Sequence, residues 1–581
     1  MPAGLMMISV LAGSVSCENP DYDLQNKEIN TEIKVLENIS MPVGDLNKIT
    51  IKDILFNDTQ ELSRIKEDAS GDLSLELVTG TVETSIDLPS FTVEGIRMED
   101  ATINFLIPSQ FAGMDAGILG DRIIRYSDLA DGGLSFKMDI DIDNVIPGEL
   151  DDIKEVELDG VMSCNFTVSA GKVYVSKGFR IVFPSYLNIA KNGNSADYSV
   201  PDNHTIVFEK DTEISASKPL SLILSFNKLT IPEGAFIKDG NSLKRLVVND
   251  EISVDGDLYI RTSDYSSIPS KLQVVMHIGF DRLQVISAMA SLDMDIELPS
   301  EEIAVEGLPD MFSGTDICAD FYNPYMYLSL DNRSPFSFNA AAAISAVYAA
   351  STERVEIGTS DSPVSAAAMS ESEYFISRRK MDVHASAANI VIPQIANLVK
   401  TIPAAIKIHD AKVTPVTEFI MLDAGATYPV NAEYAVVAPL SFDKEFNLTF
   451  SQDVNDLGIY FESALSKVVI KADIYNSIPL NFALSGECID VEGNVIKEVK
   501  LVLDKAIAAG TQASPSHTPV QLIVTNSADN FRIDGIRFNL VTTSTSPEYF
   551  GVCLNSGQGF EIRNISVNLP DGIIIKDGES E

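Results

Sequence analysis

The sequence predicts an all-β protein, made of several antiparallel β-sandwich-like modules with a few short helices. Strict alternation of apolar and polar residues recurs along the chain, as in Lys137 to Asp143 (KMDIDID), and this period places alternate side chains on opposite faces of a sheet. Asp-Gly and Asn-Gly pairs follow several of these segments and suit tight turns. With 581 residues, the chain also exceeds the roughly 250 residues that one core usually serves.

The amino terminus reads as an export signal. Leu5 to Val15 is an apolar run shorter than the about 20 residues that a membrane-spanning helix needs. The segment Leu11 to Cys17 (LAGSVSC) resembles the lipobox of bacterial lipoproteins, and the acidic start from Glu18 to Asp23 is similar to the surface-export signals of Bacteroidota lipoproteins. The resemblance implies that residues 1–17 are a signal peptide and that Cys17 is lipidated. It also implies an outer-membrane anchor, with the cell surface favoured over the periplasmic face.

A twelve-residue phrase occurs twice. Leu229 to Gly240 reads LTIPEGAFIKDG, and Val567 to Gly578 reads VNLPDGIIIKDG. Proline ends a paired segment because it has no N–H for the ladder, and Asp-Gly supplies a turn. We therefore predict a strand, a bend, a strand and a turn, with positive φ at both glycines. A binding face formed by Lys238 and Lys576 is the alternative.

A second pattern, Asn-x-x-Pro-apolar-x-Phe, links two more segments. It covers Asn332 to Phe338 and Asn476 to Phe482, and each copy follows an alternating segment. An Asn-and-Pro break between two strands resembles the sandwich modules of late-embryogenesis-type proteins. The resemblance implies the fold alone and carries no function.

Helical and loop segments are few. Ile395, Leu398 and Val399 have helical spacing and predict a short helix from Gln394. Ser109 to Leu119 is a second irregular or helical segment. The stretches 349–373 and 508–518 are rich in Ala, Ser and Thr, which predicts long loops or junctions. Four further segments are predicted as strands: 137–143, 246–260, 272–280 and 533–541.

The predicted organisation is the signal peptide followed by three modules, at residues 18–215, 216–350 and 351–581. The four cysteines after Cys17 have spacings that form no compact disulfide framework. We expect Cys164 and Cys318 to be free. A Cys488–Cys553 bridge is conceivable, although buried free thiols are the favoured interpretation.

The net charge of the chain limits the classes of partner that it can bind. The chain has 84 acidic and 42 basic residues, giving a formal net charge of −42. Such a surface repels nucleic acid, because binding to phosphates depends on Lys and Arg. The chain contains no Trp, which disfavours an aromatic glycan platform, although Tyr could serve.

A search for chemical motifs gives little. No hydrolase elbow, phosphate loop, zinc motif or Cys-x-x-Cys pair is present in the sequence. Asp382 and His384 would share one strand face, which could orient the imidazole, although a partly exposed structural pair is the favoured interpretation. Asp139, Asp141 and Asp143 share another face and are weak candidates for calcium, but the Gly and Glu of an EF-hand loop are missing, so no metal or cofactor is predicted.

These observations favour a non-catalytic, lipid-anchored envelope protein with a binding or structural-assembly role at the outer membrane. Its expected partners are the membrane, through the lipid, and a protein of an outer-membrane complex. A surface glycan-binding lipoprotein and an exported hydrolase, such as a glycoside hydrolase, remain the two alternatives.

Overall fold

The computed structural model contains two compact units, each made of separated pieces of the chain. Unit 1 comprises Met1–Asn57, Thr449–Ser546 and Gly557–Glu581, and unit 2 comprises Asp58–Leu448 and Pro547–Ser556. The structure describes residues 32–35, 39–45, 48–55, 64–93, 96–129, 133–238, 244–308, 312, 318–455, 459–461, 467–497, 499–503, 506–526, 531–570 and 573–576.

Regular structure in these residues is mostly strand. The strands before residue 100 are β1 (Glu32–Val35), β2 (Ile39–Gly44), β3 (Ile49–Thr50), β4 (Ile65–Glu67), β5 (Leu73–Asp87) and β6 (Ile96–Met98). Those between residues 100 and 295 are β7 (Ala101–Leu106), β8 (Ile123–Arg125), β9 (Leu134–Ile146), β10 (Leu150–Val168), β11 (Lys172–Val175), β12 (Arg180–Val182), β13 (Leu187–Lys191), β14 (Tyr198–Ser199), β15 (Thr205–Phe208), β16 (Thr212–Ser215), β17 (Leu220–Thr230), β18 (Phe236–Lys238), β19 (Lys244–Gly256), β20 (Leu258–Arg261) and β21 (Lys271–Leu292).

The remaining described strands are β22 (Ile296–Glu297), β23 (Glu301–Ala304), β24 (Cys318–Phe321), β25 (Tyr325–Asn332), β26 (Phe338–Val347), β27 (Thr352–Ile357), β28 (Val364–Ala366), β29 (Ser370–Ser377), β30 (Ala387–Val391), β31 (Ala405–Pro415), β32 (Ile420–Asp423), β33 (Thr427–Pro439), β34 (Phe442–Val454), β35 (Ile459–Phe461), β36 (Val468–Asn476), β37 (Asn481–Ile489), β38 (Val499–Leu503), β39 (Ser516–Asn526), β40 (Phe531–Ile533), β41 (Gly535–Ser544), β42 (Gly559–Leu569) and β43 (Ile573–Lys576). Helices are short: α1 (Ile51–Leu55), α2 (Ala116–Leu119) and 3-10 turns at Tyr126–Asp128, Thr262–Asp264, Pro393–Leu398 and Pro547–Tyr549.

The first sandwich of unit 2, sandwich A, contains β6 to β21. One sheet has the order β13-β17-β10-β21-β32, with β7 also on β21, and the facing sheet has the order β14-β15-β12-β19-β9-β6, with β18 also on β19. A smaller sheet, β16-β11-β20-β8, completes it. Phe166 of β10 packs edge-on against Phe179 and Phe208, with ring centroids 6.1 Å away in each case. These aromatic contacts fix the two large sheets face to face.

The second sandwich of unit 2, sandwich B, is built around β25. One of its two six-stranded sheets has the order β30-β29-β25-β33-β5-β4, and the other contains β31-β26-β27 with β22, β23 and β28 attached. The ladders are antiparallel except for the parallel pair β29–β30.

Unit 1 contains a third sandwich, sandwich C, built around β36. Its larger sheet has the order β2-β42-β36-β39-β38, and β37 pairs with β41 on the other side. Val468, Val524 and Leu569 of the larger sheet pack with Cys488 and Ile536 of the β37–β41 pair in one core cluster. Burial of this cluster between the two layers holds sandwich C together.

The chain order of the sandwiches is nested. β1 to β3 belong to unit 1, β4 and β5 to sandwich B, and β6 to β21 to sandwich A. The chain from β22 to β33 then returns to sandwich B, except that β24 pairs with β34 and β32 pairs with β21 of sandwich A, before the chain re-enters unit 1. The prediction of three consecutive modules is not tested by this grouping and stays a prediction.

The all-β, multi-sheet antiparallel fold predicted from the sequence is confirmed. Each copy of the repeated phrase is a strand, a proline bend and a strand, and in both copies the bend carries the chain into a different sheet: β17 to β18 and β42 to β43. Gly240 and Gly578 lie outside the described residues, so their positive φ stays a prediction.

Two local expectations need correction. The predicted helix at Gln394 is a 3-10 turn, Pro393–Leu398, since it is too short to repay an α-helical nucleus. The predicted loop at 349–373 contains β27, β28 and the start of β29. Small Ala and Ser side chains hid its alternation, because burial there depends on the neighbouring strands and not on bulk.

Candidate functional site

The three β9 carboxylates that were considered as weak calcium candidates lie on one exposed face of the strand. Asp139, Asp141 and Asp143 are exposed and alternate with the fully buried Ile140 and Ile142. They do not form a metal site: across the residues that the structure describes, no group of three or more His, Cys, Asp or Glu side chains is placed to hold a metal ion.

Asp143 forms an ion pair with an arginine side chain. The Nε of Arg245, on the neighbouring strand β19, donates to its Oδ1 at 3.1 Å. The mutual repulsion of the three carboxylates was the reason to consider a calcium ion. At this end of the strand an arginine offsets that repulsion instead. Asp139, at the other end, has a different setting.

A fork opens in the sheet beside Asp139. The β6–β9 ladder pairs Arg97 with Asp141 and Met98 with Ile140, and then stops. At Glu99 and Asp100 the chain leaves this sheet and continues as β7, which pairs with β21 in the facing sheet. The strands β6 and β7 thus diverge from one point into two different sheets.

Each arm of the fork has an open edge. Within the described part of the chain, β7 pairs only with β21, and residues 134–139 of β9 pair only with β19. A strand at the edge of a sheet presents N–H and C=O groups that another extended chain can bind. Two such edges face the same space here.

That space is a groove of about 430 Å³, which we call the fork groove. It is lined by 99–104 and 133–139, with Tyr126 at one end. Ile103, Leu134 and Met138 are buried residues of the lining, whereas Thr102, Asn104 and Ser135 are exposed. The accessible surface of the groove is therefore mainly polar, and buried apolar side chains of both strands lie beside it.

The apex of the fork is acidic. Extending the β6–β9 register by one residue places Glu99 opposite Asp139, and Glu251 lies opposite Asp139 on the other side. Like charges directly opposite each other destabilise a strand pair, so Asp139 has an unfavourable neighbour on each side. Lys137 forms its ion pair with Glu251, and this ion pair does not neutralise the charges of Glu99 and Asp139.

Asp100, the third acidic residue of the apex, has a partner outside the groove. Its Oδ1 lies 2.6 Å from Nδ1 of His277 on β21. This contact ties the point where the chain crosses between sheets to the longest strand of sandwich A. The apex is thus held in place by a hydrogen bond as well as by the two ladders.

The other predicted pair, Asp382 and His384, is not formed. Both residues lie outside a strand, and His384 instead contacts Glu373, with Nε2 3.4 Å from Oε2. Its Nδ1 lies 2.9 Å from the hydroxyl of Ser386. The predicted strand face is absent, so the orienting role for Asp382 was wrong.

A polar cluster also occupies the outer face of sandwich C. Asp473 Oδ1 lies 2.9 Å from Nε2 of His517, and the side-chain amide of Asn564 donates to Asp473 Oδ2 at 2.9 Å. The hydrogen bonds from Asn564 and then His517 lower the pKa of Asp473. A shallow hollow of about 310 Å³ adjoins this cluster, beside the bulge in the β36–β42 ladder.

The four described cysteines are free thiols, as favoured, and the conceivable Cys488–Cys553 bridge is absent. Burial raises the pKa of Cys164 and that of Cys488, the latter to about 11. Burial also raises the pKa of Cys553 to about 12. Protonated thiols are poor nucleophiles and metal ligands, so these cysteines act as apolar packing groups.

Cys17, the predicted lipidation residue, lies outside the described residues. Lys238 is an exposed residue of β18 whose Nζ lies 2.5 Å from Asp151 Oδ1. Lys576 is the last residue of β43 and pairs with Glu32 in the ladder. The two lysines of the repeated phrase thus lie in different units.

None of the helices in the described residues is long and apolar enough to cross a membrane. No protein-family model matches the chain, and no curated protein matches it either.

Two solved structures show limited similarity. One is from Parabacteroides distasonis and is described as a "putative secreted protein"; it is 16% identical over 49% of this chain and 83% of its own, with a TM-score of 0.33. The other, of T=1 particles derived from infectious bursal virus, is 10% identical over 88% of this chain and 87% of its own, with a TM-score of 0.15. Both TM-scores are too low for a shared fold to be inferred.

Proposed function

We propose that this protein is a non-catalytic, lipid-anchored envelope protein that binds an extended segment of another protein in the fork groove. The observation that carries the proposal is the pair of open strand edges, β7 and residues 134–139 of β9, that border one groove. Addition of a strand to an exposed sheet edge is a common mode of peptide recognition, in which main-chain hydrogen bonds give the affinity.

The groove favours a protein segment over a glycan. The edges offer backbone N–H and C=O groups at the regular spacing of a strand, which another peptide backbone satisfies along its whole length. Alternate side chains of that strand would continue the inner face on which the buried Ile103, Leu134 and Met138 lie. An assembly role at the envelope follows from such capture.

The anchor and location rest on the sequence. Cys17 ends a lipobox-like segment and precedes an acidic start. We therefore place the protein at the outer membrane, attached by lipid at Cys17 and facing the cell exterior. Protease treatment of intact cells tests the location, because a surface protein is digested and a periplasmic one is protected.

Site-specific photo-crosslinking tests the binding role. A photo-reactive amino acid replaces Thr102, an exposed residue of β7, in the full-length lipoprotein, and intact cells are irradiated. We expect a covalent adduct with a defined protein, whose crosslinked peptide is identified by mass spectrometry.

The matched control is Glu433. It is equally exposed, but its strand β33 is paired on both edges, with Ser329 on one side and Thr81 on the other. Absence of an adduct at position 102, or adducts of equal yield at 102 and 433, would contradict the proposed function.

A further inference from the structure

We infer that the segment bound in the fork groove is a basic strand of another protein, in which Lys or Arg alternates with apolar residues. This inference rests on the proposed function and adds the chemistry of the partner. Its physical basis is the acidic apex of the fork together with the buried apolar side chains beside it.

The alternation follows from the geometry of a strand. Successive side chains of an added strand point to opposite sides. One set would continue the inner face of the sheet, on which the buried Ile103 and Met138 lie, and therefore should be apolar. The other set would face the exposed rim, where Glu99 and Asp139 lie, and therefore should be cationic.

The charge of the apex has little compensation within the chain. Lys137 is the basic residue of the groove lining, and it already pairs with Glu251. A Lys or Arg of the bound strand would lie between Glu99 and Asp139 and offset the repulsion between these two carboxylates. An ion pair at such a site is worth about 0.2–1 kcal/mol, or up to about fivefold in affinity.

The chain's own ends are unsuitable occupants. Residues 18–31 contain four acidic residues and one basic residue, and residues 577–581 contain three acidic residues and no basic one. A second copy of this chain is equally disfavoured, because its net charge is −42. Charge complementarity therefore selects a basic segment from a different protein.

The length of the partner strand follows from the open edges. β7 and the open part of β9 each have six residues, and a strand rises about 3.3 Å per residue. A segment of about six residues in extended conformation, roughly 20 Å long, fills the fork. A ten-residue synthetic peptide is therefore long enough as a probe.

The test uses three ten-residue peptides and the purified protein. The first alternates Val and Lys, the second alternates Val and Glu, and the third is the Val/Lys peptide with every backbone amide N-methylated, so that neither of its edges can donate to a ladder. Affinity is measured by fluorescence anisotropy at 50 and 300 mM NaCl, and hydrogen exchange is followed at residues 101–106 and 134–139.

We expect the Val/Lys peptide to bind at least tenfold more tightly than the Val/Glu peptide at 50 mM NaCl and to protect one of the two edges. The preference should shrink at 300 mM NaCl, because salt screens exposed charges. N-methylation should abolish binding, since it removes the main-chain donors.

Two substitutions on the same face of β9 separate the apex from general acidity. Asp139→Asn should lower the affinity for the Val/Lys peptide about threefold. Asp143→Asn should leave it unchanged, because Asp143 lies beyond the fork and pairs with Arg245. Equal effects of the two substitutions would overturn the assignment of the apex.

The outcomes distinguish this inference from the proposed function. Equal binding of the Val/Lys and Val/Glu peptides, with edge protection, overturns the charge inference but supports strand capture. Binding of the N-methylated peptide at full affinity overturns the inference, because only surface adsorption would explain it. Failure of the Val/Lys peptide to bind overturns the inference as well, whereas the proposed function is decided by the crosslinking comparison between positions 102 and 433.

Discussion

The buried Asn476 of unit 1 should be among the most sensitive positions for stability. Its side chain is fully buried and makes three hydrogen bonds at the corner between β36 and β37. Its Nδ2 donates to the carbonyl oxygens of Leu480 at 3.1 Å and Ala508 at 2.8 Å. Its Oδ1 accepts from the N–H of Ile478 at 2.8 Å.

The cost of Asn476→Ala can be worked out from these partners. The Ala508 carbonyl keeps a second donor, the hydroxyl of Ser516, but the Leu480 carbonyl and the Ile478 N–H lose the bond described above. A buried polar group left without its partner costs about 1–3 kcal/mol. We expect the free energy of unfolding of unit 1 to fall by about 2–6 kcal/mol.

Asn476→Asp is a sharper variant because its shape is unchanged. It places a carboxylate oxygen against two carbonyl oxygens, so at pH 7 it should destabilise unit 1 more than the alanine does. Burial raises the pKa of the introduced carboxyl in the folded state, so stability is present below the unfolded value of about 4 and is lost as the pH rises. The aspartate variant should therefore recover stability in acid, and the alanine variant should not.

Native-state hydrogen exchange on β36 and β42 measures the opening free energy of unit 1. Lys471→Ala, at an exposed position of β36 in the same unit, is the control and should change the stability of unit 1 by less than about 0.5 kcal/mol. A loss below about 1 kcal/mol for Asn476→Ala, or an aspartate variant insensitive to pH, would refute the reasoning.

Three further predictions concern the anchor, the pH dependence and the repeated phrase. Labelled palmitate should enter the wild-type protein and be absent from Cys17→Ala, so equal labelling of both would contradict lipidation at that residue. The pKa of Asp473 is lowered in the folded protein, so its ionised carboxylate stabilises unit 1 above the usual pKa range of Asp. This stabilisation is lost as the pH falls through the folded-state pKa. Asp473→Asn should therefore make the melting temperature of unit 1 depend less on pH between pH 2 and 7. Lys238→Ala combined with Lys576→Ala should leave both melting temperature and partner recovery near wild type. The exposed ion pair of Lys238 with Asp151 contributes little to stability, and loss of the partner alone would assign these lysines to a binding face.

The corner motif shows what the sequence could predict. The pattern shared by Asn332 and Asn476 predicts a break between two strands, and both residues occupy equivalent corners. Asn332 also bonds the carbonyl four residues later, that of Phe336, and a carbonyl on a distant loop, that of Ala367. The bond to the carbonyl four residues later lies within the seven-residue pattern and can be predicted from it. The bond to the distant loop has no fixed sequence spacing, so the pattern does not predict it.

The fork groove shows what the sequence could not predict. Alternation marked Lys137 to Asp143 as a strand, and that prediction is confirmed by β9. Whether an edge of a strand is open depends on where its neighbouring strand leaves the sheet. Here β6 ends because the chain continues as β7, which pairs with β21 some 170 residues further on. The Gln273–Asn104 contact between these two strands spans 169 positions. Asp139 was therefore recognised as unusual for its charge, while Glu99 and Thr102 were not recognised at all.

The nested order of the sandwiches has a consequence for synthesis and export. The strands β1 to β3 leave the ribosome first, yet their partners β42 and β43 leave last; the Asn564 N–H that bonds Asp45 follows it by 519 positions. At about 5–20 residues per second, the first strands wait roughly half a minute or longer for those partners. Unit 2 can complete most of its ladders in that interval, whereas unit 1 must close around a loop that contains unit 2. Chains truncated shortly before β42 should therefore retain the ladders within β4 to β33 and leave β2 and β3 without the strand that pairs with them.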